Sequence, residues 1–177
     1  VVVENGKLRG VVNERDLFAL QRVSMRQVNQ DVEDAASVEQ LRRAADDIRR
    51  LTQNLLAQGA GAEPVTRTIA SLNDALSRRT IDLALARHDL GGIAWCWLAL
   101  GSEGRNEQTF ATDQDNAIVY ASADAAEASQ LRPRLAAFAR DVNADLDRLG
   151  FPLCSGNVMA GNPDYCLSIE EWKARFL

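Results

Sequence analysis

Two short runs of residues in this sequence could together do chemistry on a phosphate-bearing substrate. Gly101-Ser102 ends an apolar run, and Asp113-x-Asp115 follows ten residues later, directly before a second apolar run. Carboxylates at positions i and i+2 of an extended chain lie on the same face, because side chains alternate. Like charges at that spacing repel unless a cation lies between them, and Mg²⁺ usually takes one or two protein carboxylates together with water and phosphate oxygens. A Gly-Ser turn that opens a short helix presents free backbone N–H groups to phosphate, so the pattern predicts a metal site beside a phosphate-binding turn.

The two runs belong to a longer motif of glycines, a hydroxyl, a guanidinium and carboxylates, namely Gly101, Ser102, Gly104, Arg105, Glu107, Asp113 and Asp115. This motif resembles the nucleotidyltransferase superfamily typified by DNA polymerase β and kanamycin nucleotidyltransferase, and more closely the N-terminal domain of PII-protein uridylyltransferase. It is most similar to the nucleotidyltransferase domains of bacterial signalling proteins that follow CBS or cyclic-nucleotide-binding domains. The resemblance covers residues 32–177. It implies Mg²⁺-dependent (or Mn²⁺-dependent) transfer of a nucleoside monophosphate from an NTP to a protein or small-molecule hydroxyl, such as uridylylation or adenylylation of a protein.

The resemblance also assigns roles to the residues of the motif. Asp113 and Asp115 are expected to be catalytic and to bind the metal, and an Asx-type turn is the alternative for them. The residues expected at the nucleotide phosphates are Gly101, Ser102, Gly104 and Arg105. An ion pair with a neighbouring carboxylate is the alternative for Arg105, whose planar fork would otherwise reach the phosphates. Glu107 is expected in a supporting role, orienting Arg105 or capping the helix.

Two departures from the superfamily pattern affect the expected turnover. Gln114 and Asn116 are polar, whereas the superfamily usually places apolar residues around the two acids. The superfamily also takes a third carboxylate from a later strand, and the strand expected at residues 153–160 contains no acid. Asp164 follows in a loop. A third acid is therefore either missing or located after Leu177, which keeps open a module that binds nucleotide without turning it over.

Composition limits the range of possible functions. The chain has 177 residues and a net charge of −5, so it lacks the basic excess of a nucleic-acid-binding protein. No apolar run is long enough to suggest a membrane span or a signal peptide. The three cysteines, Cys96, Cys154 and Cys166, are odd in number and lack metal-ligand spacing, so we expect reduced thiols and a cytoplasmic location.

Residues 1–30 resemble the end of a CBS domain. Asn5-Gly6 predicts a type I′ hairpin turn, and the following helix would place Asn13 and Asp16 at an adenosyl ligand, although helix capping is the alternative for both. The chain starts and stops abruptly, so we expect it to be a piece of a larger protein. An adenine nucleotide is the expected ligand of the intact CBS module.

Helical periodicity then predicts a long antiparallel hairpin over residues 31–92. Its first helix is expected over residues 32–58, with Ser37 and Gln40 as a possible capping box, and its second from Pro64 to Leu90. The sole histidine, His88, is expected to cap that second helix. The apolar seam would pack on the following core, on a second copy in a homodimer, or on both.

Residues 93–177 are expected to form the nucleotidyltransferase-like core. The predicted order is a strand, the short helix, a second strand, and a long helix that starts or kinks near Pro133. A strand over residues 153–159 and a final helix opened by a Ser168 capping box would follow. Trp95 and Trp97 would share one strand face in the core. The predicted fold is therefore α+β, with a helical hairpin and a small mixed β-sheet flanked by helices.

These observations favour a signalling nucleotidyltransferase domain whose partners are an NTP and a protein acceptor. Two alternatives remain open at this point. One is a catalytically inactive module that senses a nucleotide, and the other is a dimerisation module built on the helical hairpin.

Overall fold

The computed structural model describes residues 2–11, 25–109 and 112–176. Its described helices are α1 (residues 25–34), α2 (Val38–Ala57), α3 (Ala62–Leu85), α4 (Gly101–Gly104), α5 (Ala125–Arg148) and α6 (Ile169–Phe176). Its described strands are β1 (Val2–Glu4), β2 (Lys7–Gly10), β3 (Trp95–Ala99), β4 (Asn116–Tyr120) and β5 (Cys166–Ser168). A 3₁₀ turn spans Pro163–Tyr165.

The fold is α+β, as predicted, and contains a small mixed sheet. Strands β3, β4 and β5 are neighbours in that order, with β3 antiparallel and β5 parallel to the central β4. Strand β4 is almost completely buried, because α5 packs on the sheet and fills its inner face. The sheet therefore fixes the position of the residues that directly precede β4.

The helical hairpin is present, but its helices are shorter than predicted. The expected first helix is interrupted at residues 35–37, and Ser37 caps a new helix by accepting a hydrogen bond from the Gln40 backbone N–H at 3.3 Å. The Gln40 side chain in turn accepts from Ala36 N, so this cap ends one helix and opens another. Helix α3 ends at Leu85 rather than at Leu90.

The apolar seam of the hairpin packs on the core of the same chain. Leu41 and Leu72 from the hairpin share one buried cluster with Phe138 and Val142 of α5. All four side chains are at most 2% exposed. The hairpin is thus continuous with the sheet and α5, and its buried seam is not a free surface.

The N-terminal β1–β2 hairpin confirms the predicted turn. Asn5 and Gly6 both have positive φ, 52° and 71°, as a type I′ turn requires. The strands are antiparallel and their side chains are mostly exposed. Asn13 and Asp16 lie outside the described residues, so the adenosyl-binding role stays a prediction.

Helix α5 starts earlier than Pro133 suggested. Asp124 caps it by accepting a hydrogen bond from the Glu127 N–H at 2.8 Å, and the helix continues through Pro133 to Arg148. The Glu127 side chain completes a reciprocal cap on the Ala123 N–H. The capping signal therefore outweighs the missing N–H of one proline.

The strand predicted over residues 153–159 is wrong. That segment is a loop with a turn at Asn157, whose φ is 55°, and the third strand of the sheet is β5 instead. The loop is nevertheless tied to the chain before β4, because Gln114 N donates to Pro152 O and Asn116 N donates to Val158 O. The reciprocal capping box between Ser168 and Glu171 at the start of α6 is confirmed.

His88, Trp95 and Trp97 contribute to the packing of their segments against the rest of the core. His88 lies beyond the end of α3, so the predicted capping role is wrong, and its Nε2 lies 2.8 Å from Asp141 Oδ2 on α5. Trp95 packs edge-on against Phe138, with ring centroids 5.1 Å apart, and Trp97 also packs on the core as expected.

None of the helices in the described ranges is long and apolar enough to cross a membrane.

Candidate functional site

The predicted Gly-Ser turn lies directly against one of the predicted acids. Strand β3 ends at Ala99, and α4 opens at Gly101 with φ +52°, a conformation that favours glycine. A Cβ atom on Gly101 would lie 2.1 Å from Asp115 Oδ2. The Asp115 carboxylate therefore occupies the space that any other side chain at position 101 would need. This contact brings together the two halves of the motif.

Gly104 has a packing role of its own. A Cβ atom there would lie 2.6 Å from the Ala99 carbonyl oxygen, so only glycine lets α4 fold this closely onto the end of β3. The Gly104 N–H donates to Leu100 O at 2.9 Å, and Leu100 N donates to Asp115 O at 2.8 Å. The single short turn of α4 is consequently fixed to both segments that carry the motif.

The two acids alternate with buried amides, as the extended-chain prediction requires. Asp113 is exposed and Asp115 is half-buried, whereas Gln114 and Asn116 are 2% and 1% exposed. Asp113 and Asp115 precede β4 instead of lying within it. Both carboxylates thus face away from α5.

The two amides that depart from the superfamily pattern form a buried network with Asn143 of α5. Asn143 Nδ2 donates to Gln114 Oε1 at 2.8 Å and to Asn116 Oδ1 at 2.9 Å. Gln114 Nε2 in turn donates to the backbone carbonyls of Asn143 and Phe151. The backbone N–H groups of Ala160 and Gly161 donate to Asn116 and Asn143. Because the side-chain oxygen of each of the three amides accepts a hydrogen bond, the network holds the acid-bearing segment in one position on α5.

Arg105 forms an ion pair with a neighbouring carboxylate, which was the alternative to phosphate binding in the sequence analysis. Its Nε lies 2.8 Å from Glu107 Oε2, and both side chains are well exposed. Glu107 N also donates to Ser102 O at 2.9 Å, which closes the turn after α4. Ser102 itself is half-buried beside Gly101. Glu107 is therefore placed to orient Arg105, and phosphate contacts by Arg105 and Ser102 stay predictions.

Glu103 is a charged residue of this site that the sequence analysis missed. Its carboxylate accepts a hydrogen bond from Ser77 Oγ of α3 at 3.2 Å, so the helical hairpin reaches the motif. The pKa of Glu103 is raised from its ordinary value of 4.5 to about 7. Burial is the largest cause, and the carboxylates of Asp74 and Asp115 also raise the pKa, whereas the hydrogen bond from Ser77 lowers it. No residue spacing in the sequence joins position 77 to position 103, so only the tertiary fold reveals the contact.

This raised pKa predicts a pH-dependent effect of Glu103→Gln on stability. A carboxyl group whose pKa is raised on folding destabilises the folded state progressively as pH rises from the unfolded to the folded pKa, here from 4.5 to about 7. The glutamine keeps an acceptor for Ser77 but carries no charge. Between about pH 4.5 and pH 8, we expect the free energy of unfolding of the variant to rise by about 2 kcal/mol relative to that of the wild type. This value is smaller than the full pKa shift would give, because water partly screens the side chain. Urea unfolding at both pH values measures it, and a difference that does not grow with pH would contradict it.

A thiol from the loop that follows α5 lies beside Asp115. Cys154 Sγ is 3.4 Å from Asp115 Oδ1 and is half-buried. Asp164, the acid that follows this loop, lies in the 3₁₀ turn and not in a strand of the sheet. Among residues 2–11, 25–109 and 112–176, no three His, Cys, Asp or Glu side chains are arranged to hold a metal ion together.

The donor set nevertheless suits one Mg²⁺ ion that also binds a substrate. Mg²⁺ prefers oxygen ligands and commonly uses one or two protein carboxylates, with phosphate oxygens and water completing its shell. Asp113, which is exposed, and Asp115, which is half-buried, supply two carboxylates in the segment before β4. They fit this requirement without a third protein ligand.

The fold and motif define an α+β domain with a glycine-lined acidic site. Over residues 46–177, more than half of its length, the chain matches the family described as "Putative nucleotidyltransferase DUF294", and it belongs to that family. No curated protein and no solved structure matches the chain. The motif at Gly101 and Asp115 lies within the matched range.

Proposed function

We propose that this chain is a signalling nucleotidyltransferase module that transfers a nucleoside monophosphate from an NTP to a hydroxyl group. The contact between the Gly101 backbone and the Asp115 carboxylate supports this proposal most strongly. It puts a glycine-lined turn, which suits phosphate, beside carboxylates that suit a divalent cation. Membership of a family described by nucleotidyl transfer agrees with it.

In this proposal different residues of the site bind the metal, face the phosphates and position the two acids. Asp113 and Asp115 would hold Mg²⁺, which when bound would neutralise phosphate charge and favour departure of pyrophosphate. The first N–H groups of α4 have no intrahelical acceptor and would face the phosphates. The Gln114–Asn116–Asn143 network keeps the two acids from moving as charge develops, so their position needs no reorganisation during the reaction.

The reaction joins the acceptor oxygen to the α-phosphorus of the NTP and breaks the bond from that phosphorus to pyrophosphate. The hydroxyl proton leaves to water or buffer. The acceptor we propose is a protein hydroxyl, as the resemblance to PII-protein uridylyltransferase implies. Control by an adenine nucleotide at a CBS module and a cytoplasmic setting belong to the same proposal.

Pyrophosphate release tests the proposal. The chain is incubated with each of the four NTPs, Mg²⁺ and a candidate acceptor protein, and the Asp113→Asn/Asp115→Asn variant is run beside it. Asp31→Asn/Asp34→Asn is the matched control, because both of its acids are exposed on α1 away from the motif. We expect Mg²⁺-dependent release by the wild type and the control, and a loss of about 100-fold or more in the site variant. Equal release by all three proteins would refute the assignment of the acids.

A second function, nucleotide sensing without turnover, is favoured by one observation. The group beside Asp115 is the Cys154 thiol, whereas the superfamily takes a third carboxylate from a later strand. Mg²⁺-dependent NTP binding without pyrophosphate release, across all four NTPs and acceptors, would support sensing over transfer.

Dimerisation through the helical hairpin has less support. Leu51 and Leu72, which lie on its seam, are 8% and 2% exposed and pack within the chain. Acidic substitutions there would disrupt the core instead of a subunit interface. A homodimer would therefore have to use another surface, and light scattering of the wild-type chain measures its mass directly.

A further inference from the structure

A cleft of about 350 Å³ lies between α5 and the loop that follows it, apart from the Gly101–Asp115 contact. Its apolar part is formed by Ala144, Leu153, Met159 and Pro163. Leu153 is 51% exposed, so its apolar side chain is accessible to a ligand. The volume falls in the range of small-molecule sites, which are mostly apolar with a few polar groups that orient the ligand.

The loop is built closely onto α5 at this cleft. A Cβ atom on Gly161 would lie 2.9 Å from Arg140 Cγ and 3.0 Å from Asn143 Oδ1. Gly161 N also donates to Asn143 Oδ1 at 3.0 Å. The wall of the cleft is therefore fixed by the same buried network that holds the acid-bearing segment.

The polar side chains that line the cleft are of two kinds: Asn143 and Asn162 are hydrogen-bonded within the described structure, whereas Arg140 and Asn157 are not. Arg132, Arg134 and Arg148 of α5 each form an ion pair with a carboxylate. Arg140, which lines the cleft, has no hydrogen-bond or ion-pair partner among residues 2–11, 25–109 and 112–176, and neither has the side-chain amide of Asn157. Within the described residues, an exposed guanidinium and an exposed amide without partners thus border an apolar surface.

We propose that this cleft is a binding site for a small organic monocarboxylate with a flat apolar body. The apolar body would lie on Leu153 and Met159, and the carboxylate would accept hydrogen bonds from the guanidinium of Arg140. A single guanidinium matches one negative charge. A nucleoside triphosphate, with about four charges at neutral pH, would bring excess negative charge to a chain of net charge −5. This proposal does not depend on the nucleotidyltransferase assignment.

An NMR titration of the isotope-labelled chain tests the proposal with naphthaleneacetate as the probe. Naphthaleneacetamide, a neutral molecule of nearly the same shape, is the matched ligand control. We expect saturable shift changes at the amides of Leu153, Asn157 and Met159 with the carboxylate. Binding of the neutral amide should be about tenfold weaker, because it lacks the charge-assisted hydrogen bond.

Arg140→Gln is the matched protein variant, and Arg134→Gln on the same helix is its control. Arg140→Gln should weaken carboxylate binding about tenfold and bind both probes equally, whereas Arg134→Gln should behave as the wild type. The spectrum of each free variant shows whether it is folded. Shift changes elsewhere on the chain, no shift changes, or equal affinity of the wild type and Arg140→Gln for the carboxylate would overturn the proposal.

Discussion

Gly101→Ala is expected to abolish nucleotide binding and transfer while the chain stays folded. The new Cβ would lie 2.1 Å from Asp115 Oδ2, so the carboxylate or the turn must move by an ångström or more. A displacement of that size at a reacting centre costs about 100-fold in rate. The φ of +52° adds about 1–2 kcal/mol of backbone strain to the folded state.

Gly92→Ala separates the effect of the steric clash from the effect of the positive φ. Gly92 has φ +79°, and a Cβ atom there would meet nothing within 4 Å, so this variant carries the backbone strain without the clash. Urea unfolding should show destabilisation in both variants, at least as large in Gly101→Ala as in Gly92→Ala, and Mg²⁺-dependent NTP titration should show loss in Gly101→Ala alone. Full binding by Gly101→Ala would contradict a site formed where the turn meets Asp115.

Asn143→Ala is expected to have the largest effect on stability. The alanine leaves Gln114 Oε1 and Gly161 N without their buried partners, and each such group costs about 1–3 kcal/mol. Asn116 Oδ1 keeps the hydrogen bond from Ala160 N, so we do not count it. The expected loss in the free energy of unfolding is about 2–6 kcal/mol.

Ser129→Ala on the same helix is the control for Asn143→Ala. Ser129 is exposed and its hydroxyl bonds only to the Ala125 carbonyl within the helix, so the change should be within about 0.5 kcal/mol. Urea unfolding of both variants gives the two values. A loss below about 1 kcal/mol for Asn143→Ala would mean that the amide network does not hold the segment before β4.

The parts of the fold that follow from local signals could be read from the sequence. Asn5-Gly6 needs positive φ at both residues, and Ser168 with Glu171 satisfies the first turn of a helix, so both features depend on nearby residues alone. The segment at residues 153–159 shows the opposite case. Its apolar residues suggested a strand, but its turn at Asn157 and its bonds to residues before β4 make it a loop, which depends on tertiary contacts.

Part of the candidate site could likewise be predicted from the sequence, and part of it depends on tertiary contacts. The spacing of Gly101 and Asp115 predicted that they act together, and the structure brings them into contact. Glu103 was missed, because its partner Ser77 lies on a helix whose position the sequence does not determine. The buried amides looked like departures from a pattern, and only their contact with Asn143 shows that they support the acids.

Calorimetric titration of the chain with ATP, UTP, GTP and CTP, with and without Mg²⁺, tests the central claim most directly. The Asp113→Asn/Asp115→Asn variant is titrated in parallel. We predict that at least one NTP binds the wild type only with Mg²⁺, and that this binding is lost in the variant. Absence of binding to the folded wild type, or equal binding by the variant, would contradict a metal-dependent nucleotide site at these two carboxylates.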